Sequence, residues 1–256
     1  MIGSILRGIQ NNEWSQFMDY LSPVFFEVVP TLDIARQTTQ LGKAFTKLKH
    51  PDEEAVVRTL VRDLGLPVNF RMDKASSEML TSLSKQEKGR ILLSLFFGQL
   101  MHNPLAWLDL RSSTFEYLSK ECNWKPGAWI IRWDPKFLGA IRKVYRGYYL
   151  DNQNTYRDGL RELNLEHASE MFRKQFGDGQ QTAVQFRMQD FRESFHEIFL
   201  SCKANKSTLH PNFFAFGLFL SSLYEHLEGL QVSLNVREVF MEVLHAREAP
   251  SQISAL

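Results

Sequence analysis

Phenylalanine constrains this chain more than any other residue: 20 of its 256 residues are Phe. The densest stretch is 211–229, where Phe213, Phe214, Phe216, Phe219, Leu220 and Leu223 crowd one segment. A buried aromatic ring removes roughly 150–250 Å² from water. So much aromatic surface needs a deep helical interior or an apolar ligand pocket. Phe219 and Leu223, four residues apart, share one helix face and are expected to be buried.

The chain reads as helix after helix. Segments 14–21 and 24–29 stop near Pro23 and Pro30. Thr31 can cap a helix in which Ile34, Thr38, Leu41, Phe45 and Leu48 recur at helical spacing. His50-Pro51 opens a helix over 52–64, closed by Gly65. Ser84 and Glu87 form a capping box ahead of 85–101, which Asn103-Pro104 ends. Asp134-Pro135 places an N-cap and a first-turn proline before 135–150. Further helices are expected over 155–163, 167–176, 188–202, 211–228 and 236–246, with a turn at Gly177-Asp178-Gly179 and a fraying tail. Segments 114–118 and 128–133 are rich in β-branched and aromatic residues and read as the two strands of one hairpin. The expected fold class is all-α, or nearly so: a multi-helix globular bundle with at most one small β-hairpin near 114–133. It is one domain over 1–256, or two sub-lobes, 1–103 and 104–256.

Several function classes fit poorly. The formal net charge is +1, without the basic excess usual in nucleic-acid binders. Cys122 and Cys202 cannot build a disulfide framework or a Cys-rich zinc site, and they suit a reducing, cytoplasmic compartment. The first residues lack the apolar core of a secretory signal. The apolar runs 91–101 and 213–224 are shorter than the ~20 residues of a membrane span.

Two Glu-x-x-His pairs, Glu193/His196 and Glu242/His245, match the spacing of di-iron four-helix bundles, with Glu166 and Glu225 available for the remaining places. Such ligands must point inward. On a helical wheel Glu193 lies opposite the apolar stripe Phe191, Phe195, Ile198, Phe199 and Cys202. Glu242 and His245 face away from Val236, Val239, Phe240, Val243 and Leu244. Solvated polar faces are the expectation. His50 and His210 precede prolines and read as helix-entry residues, and His102 as a helix-end residue. Cys202 lies on an apolar stripe and reads as buried. Nucleophile-elbow, zincin and phosphate-loop motifs are absent. Lys136, Arg142, Lys143 and Arg146, with Arg132 before them, form a basic face interleaved with Tyr145, Tyr148 and Tyr149. It reads as a solvated helix face backed by an aromatic core, and nucleic acid as an unfavoured partner.

The order of helix 89–101, the loop Trp107-Leu-Asp109-Leu-Arg-Ser-Ser-Thr114-Phe, a hairpin, Asp134 and closing helices resembles the C-terminal lobe of UbiB-type atypical kinases across residues 90–230. In that resemblance Asp109 stands at the position that orients the attacking hydroxyl, and Asp134 near the metal position. Thr114 replaces the asparagine that binds Mg²⁺, Pro135 follows Asp134, and neither a Gly-rich loop nor a strand lysine precedes residue 90. The resemblance therefore implies a degenerate kinase-like protein without phosphotransfer. The leading expectation is a non-catalytic cytoplasmic helical protein that binds a protein partner or an apolar small molecule. No catalytic, cofactor or metal residue is assigned. A helical-bundle enzyme, metal-dependent or not, is the further alternative.

Overall fold

The computed structural model of the chain describes residues 25–29, 39, 50–70, 83–118, 120–170 and 183–246. In chain order the helices are α1 (Phe25–Val28), α2 (Pro51–Asp63), α3 (Lys85–His102), α4 (Pro135–Tyr149), α5 (Gln153–Glu162), α6 (Met188–Ala204), α7 (Phe213–Leu230) and α8 (Val236–His245). The strands are β1 (Val68–Phe70), β2 (Leu105–Trp107), β3 (Phe115–Tyr117), β4 (Cys122–Trp124), β5 (Ile130–Arg132), β6 (Val184–Gln185) and β7 (Ser233–Leu234). The fold is helix-dominated, as expected. None of the described helices is long and apolar enough to cross a membrane.

Helix ends follow their caps. The Ser84 hydroxyl accepts the Glu87 amide at 3.2 Å, and the Glu87 carboxylate accepts the Ser84 amide at 2.7 Å. Asp134 Oδ1 accepts the amides of Lys136 and Phe137 at 2.9 and 3.0 Å, so Pro135 sits where no amide is needed. Gly65 closes α2 at φ +60°, a conformation open to glycine. Asn152 caps α5 through the Thr155 amide, so the helix begins at Gln153, two residues before the expected start. Helix α7 begins at Phe213 rather than at Pro211. Of the expected helix 167–176, the described part holds a 3-10 turn, Glu166–Ala168, followed by two α-helical residues, Ser169 and Glu170. Segment 14–21, Thr31 and most of the helix it caps, the 177–179 turn and the tail lie outside the described residues.

The single hairpin is a correction. Segment 114–118 does not pair with 128–133. Instead β3 pairs antiparallel with β4, joining Phe115 to Trp124 and Tyr117 to Cys122. A bond from the Leu118 amide to the Glu121 carbonyl closes this hairpin tightly. A short local turn costs less chain entropy than the long loop that 128–133 would require. β1 adds to the other side of β4 in parallel. β5 pairs with β2, and the β3–β4 hairpin emerges between those two strands. β6 and β7 form a third small pair.

Two helices form the centre. α3 buries every residue from Ile91 to Met101, and α7 is buried on nearly all sides. Neither shows a polar face, which is the pattern of a central helix. Phe219 and Leu223 are 0% and 2% exposed. Phe96 and Phe219 join the two helices with ring centroids 4.7 Å apart, and Phe97 meets Phe240 of α8 at 5.2 Å. Helices α4 and α5 approach to backbone contact. A Cβ on Gly147 would lie 2.2 Å from the Tyr156 amide nitrogen, and one on Gly159 would lie 2.7 Å from that of Val144.

Candidate functional site

The segment after β2 carries a dense polar network. β2 ends on Trp107, whose amide donates to Gln99 Oε1 of α3 at 2.7 Å. Gln99 is fully buried and so supplies the acceptor that a neighbouring strand would offer. The chain then runs through Leu108, Asp109, Leu110, Arg111 and Ser112 along one side of α7.

Asp109 is 1% exposed. The Arg111 side chain donates to both of its oxygens, Nε to Oδ1 and a terminal nitrogen to Oδ2, each at 2.8 Å. This fork-to-fork geometry is the strongest arrangement of the two groups, and it balances a charge that would be costly alone. The Asp109 carbonyl accepts the Trp124 indole N–H at 2.9 Å, tying the segment to β4. The Thr114 hydroxyl donates to the Arg111 carbonyl at 2.8 Å.

Helix α7 meets the segment with three polar residues. Ser222 Oγ donates to the Leu108 carbonyl at 2.6 Å and accepts the Leu110 amide at 3.2 Å. The Glu225 carboxylate accepts the Ser112 amide at 2.9 Å and its hydroxyl at 2.7 Å. His226 Nδ1 lies 2.9 Å from the Leu110 carbonyl and Nε2 lies 3.0 Å from the Tyr117 hydroxyl. A carbonyl can only accept, so Nδ1 carries the proton and Nε2 accepts from tyrosine. Burial holds the His226 imidazole below its ordinary pKa. The Lys88 charge pushes the same way, while the Leu110 carbonyl and Glu225 push back. Burial also raises the Tyr117 phenol, whose ring carries the Lys88 ammonium at 4.4 Å.

The other candidates fall as follows. Asp134 is spent on its cap, with His210 Nε2 3.6 Å away. His210 Nδ1 accepts the Asn212 amide and its ring stacks on Phe137, a helix-entry role. His50 precedes α2, and its carbonyl accepts the Glu54 amide. His102 closes α3 and bonds the Val243 carbonyl at 2.8 Å. Glu193, His196, Glu242 and His245 are all exposed. Glu242 pairs with Arg90 across α8 and α3, Glu166 pairs with Arg161, and Glu225 holds Ser112. The two Glu-x-x-His pairs are therefore not brought together. Among the described residues no group of three His, Cys, Asp or Glu could hold a metal ion. Cys202 and Cys122 are buried, and burial pushes the Cys122 thiol up to about 12, far from a reactive thiolate.

A cavity of about 20 Å³ lies between α3, α4 and α7, lined by Phe96, Phe97, Tyr145, Tyr149, Leu223 and Tyr224 among others. That is room for about one water molecule. The basic face of α4 divides in two. Arg142 turns inward and donates to the Leu100 and Asn103 carbonyls at 2.8 and 3.0 Å, a cation at the C-terminus of α3. Lys143 pairs with Glu162, while Arg132, Lys136 and Arg146 are exposed.

Sequence reasoning missed Arg111, Tyr117, Ser222 and His226. One signal was present: Phe219, Ser222, Leu223 and His226 fall at i, i+3, i+4 and i+7, so two polar groups interrupt an apolar stripe. Such groups need buried partners. A comparison with protein-family models and with curated proteins finds no match to the chain.

Proposed function

We propose that the chain works by binding a protein partner rather than by catalysis, in a reducing, cytoplasmic setting. The observation that carries this reading is the pairing of Asp109 with Arg111. Asp109 is the carboxylate that the loop resemblance offers for activating a hydroxyl, and both of its oxygens sit 2.8 Å from guanidinium nitrogens. A general base must reach the proton it removes, and this one is buried against its own neighbour. Thr114 and Asp134 are committed to backbone contacts in the same way. A protein partner is preferred to an apolar small molecule because the cavity between α3, α4 and α7, lined by the aromatic residues described above, holds about 20 Å³, whereas ligand pockets are roughly 300–1,000 Å³. Isothermal titration with Mg-ATP is expected to show no binding up to millimolar nucleotide. Native mass spectrometry of the purified protein is expected to show no metal or small ligand. Turnover of ATP that disappears in Asp109→Ala would overturn the reading.

A second reading is a degenerate atypical-kinase-like protein without phosphotransfer. It is favoured by the order of elements: α3, the 108–114 segment, the β3–β4 hairpin, then Asp134 at the head of α4. Mg-ATP binding without turnover would select it.

A further inference from the structure

We propose that the solvent side of α4 is the surface on which an acidic segment of the partner docks; the proposal rests on the protein-binding reading above. Beyond Pro135 in the first turn, the positions of α4 that reach solvent are Lys136, Gly139, Arg142, Lys143 and Arg146, and Leu150 follows at the helix end. At about 100° per residue these fall within roughly one third of the helix circumference. Four are cations and none is a carboxylate. In a chain of net charge +1 this is a local concentration of positive charge.

The cations differ in what they can offer. Lys143 is shared with Glu162. Arg142 points at two carbonyls. Burial first, and the neighbouring Arg146 charge second, lower its pKa. Lys136 and Arg146 are exposed and pair with no carboxylate among the described residues. Between them, nothing lies within 4 Å of where a Cβ on Gly139 would stand. A partner can therefore approach the helix closely at that point. Leu150 is 43% exposed, and Leu200 is the only other exposed large hydrophobic among the described residues. The complementary segment carries acidic residues along its length and an apolar residue at the Leu150 end.

The same observations disfavour other occupants. The apolar side of α4, with Phe137, Ile141, Val144 and Tyr145, is buried in the core, so no apolar face is left to enter a bilayer. Tyr145, Tyr148 and Tyr149, which would have to stack on bases, are at most 8% exposed.

The test is fluorescence anisotropy on the full chain at low salt. The probe is a labelled short peptide of Glu and Ala ending in Leu. Saturable binding is expected, weakening as salt rises. Lys136→Glu combined with Arg146→Glu should weaken it about tenfold or more, the loss of two surface ion pairs and their reversal. Leu150→Ser should weaken it further. Arg62→Glu, a charge reversal on α2, should leave it unchanged. Absence of binding, equal weakening by Arg62→Glu, or tighter binding of single-stranded RNA or phosphatidylserine vesicles to the same strip would each overturn the proposal. A partner complex that survives the α4 double reversal in native mass spectrometry would sink this surface and leave the protein-binding reading standing. ATP turnover would sink the reading itself.

Discussion

The Tyr117 hydroxyl and the His226 imidazole meet at 3.0 Å, joining β3 to α7 across 109 residues of chain. The bond exists in this form only while His226 is neutral, because Nδ1–H is already given to the Leu110 carbonyl. Protonated, Nε2 would donate, and the tyrosine proton would have to find another acceptor beside Lys88.

Acid should therefore loosen this junction. Burial depresses the folded-state pKa of His226 from the ordinary 6.5. A histidine depressed in this way contributes fully above the unfolded value. As pH falls below 6.5 the unfolded chain takes up the proton first, and stability declines until the folded imidazole titrates as well. His167 is shifted in the same direction by burial. Urea unfolding across pH 5 to 8 should show stability rising with pH, and His226→Gln should flatten part of that slope. An unchanged slope in the variant would remove His226 as the cause.

Asp109→Ala should destabilise by about 3 kcal/mol, because it leaves the Arg111 guanidinium, itself largely buried, without its counter-charge. Arg111→Ala should cost as much or more, since the carboxylate it abandons is the deeper group. A thermal shift within error for both variants would contradict the buried pair.

Phe219→Ala should cost about 3–5 kcal/mol, the range for a fully packed aromatic. The ring is 0% exposed and touches Phe96 and Trp133. A loss under about 1 kcal/mol would mean that the α3–α7 contact is not part of the folded core.

Gly159→Ala tests the α4–α5 crossing. Alanine favours a helix interior over glycine by about 1 kcal/mol. Here its methyl would lie 2.7 Å from the Val144 nitrogen and 2.8 Å from the Ala140 oxygen, both backbone atoms of α4. Overpacking of this kind typically costs about 1–3 kcal/mol or more, so net destabilisation is expected. Gly147→Ala, facing the Tyr156 backbone, should be worse. Stabilisation of either variant in chemical denaturation would show that the helices do not meet so closely.

Elemental analysis should find no iron shared by Glu193, His196, Glu242 and His245. Each lies on a solvent face, and His196→Ala or His245→Ala should change stability by about 0.5 kcal/mol or less. Two irons per chain, lost on His196→Ala, would restore the di-iron enzyme.

The helices were legible because their signals are local. Ser84 with Glu87, and Asp134 with Pro135, act within four residues of one another, and the structure places those caps as read. The strands were legible in part: β3 and β5 fall within the segments read as strands, 114–118 and 128–133, but their pairing partners β4 and β2 were not foreseen. β2 and β4 are three residues long and buried throughout, so they show no alternation. β2 also follows directly on Asn103-Pro104, which read as a helix stop and nothing more. The site was legible only in outline. The 108–114 segment drew notice through Asp109, but the partners that fix its geometry, Ser222, Glu225 and His226, lie more than a hundred residues away. Glu225, weighed as a metal ligand, serves Ser112 instead.

The parallel pairing of β1 with β4 has a kinetic consequence. It sets Val68 beside Cys122 and Phe70 beside Trp124, with the whole of α3 and β2 between them in sequence. Parallel strands cannot be joined by a tight turn, and closing so long a stretch of chain is slow compared with forming helices. The β3–β4 hairpin can form by itself, but Trp124 gains its second neighbour only after α3 has docked. In stopped-flow refolding, helical ellipticity should recover in an earlier phase than the emission of Trp124, read in a variant that keeps this tryptophan alone.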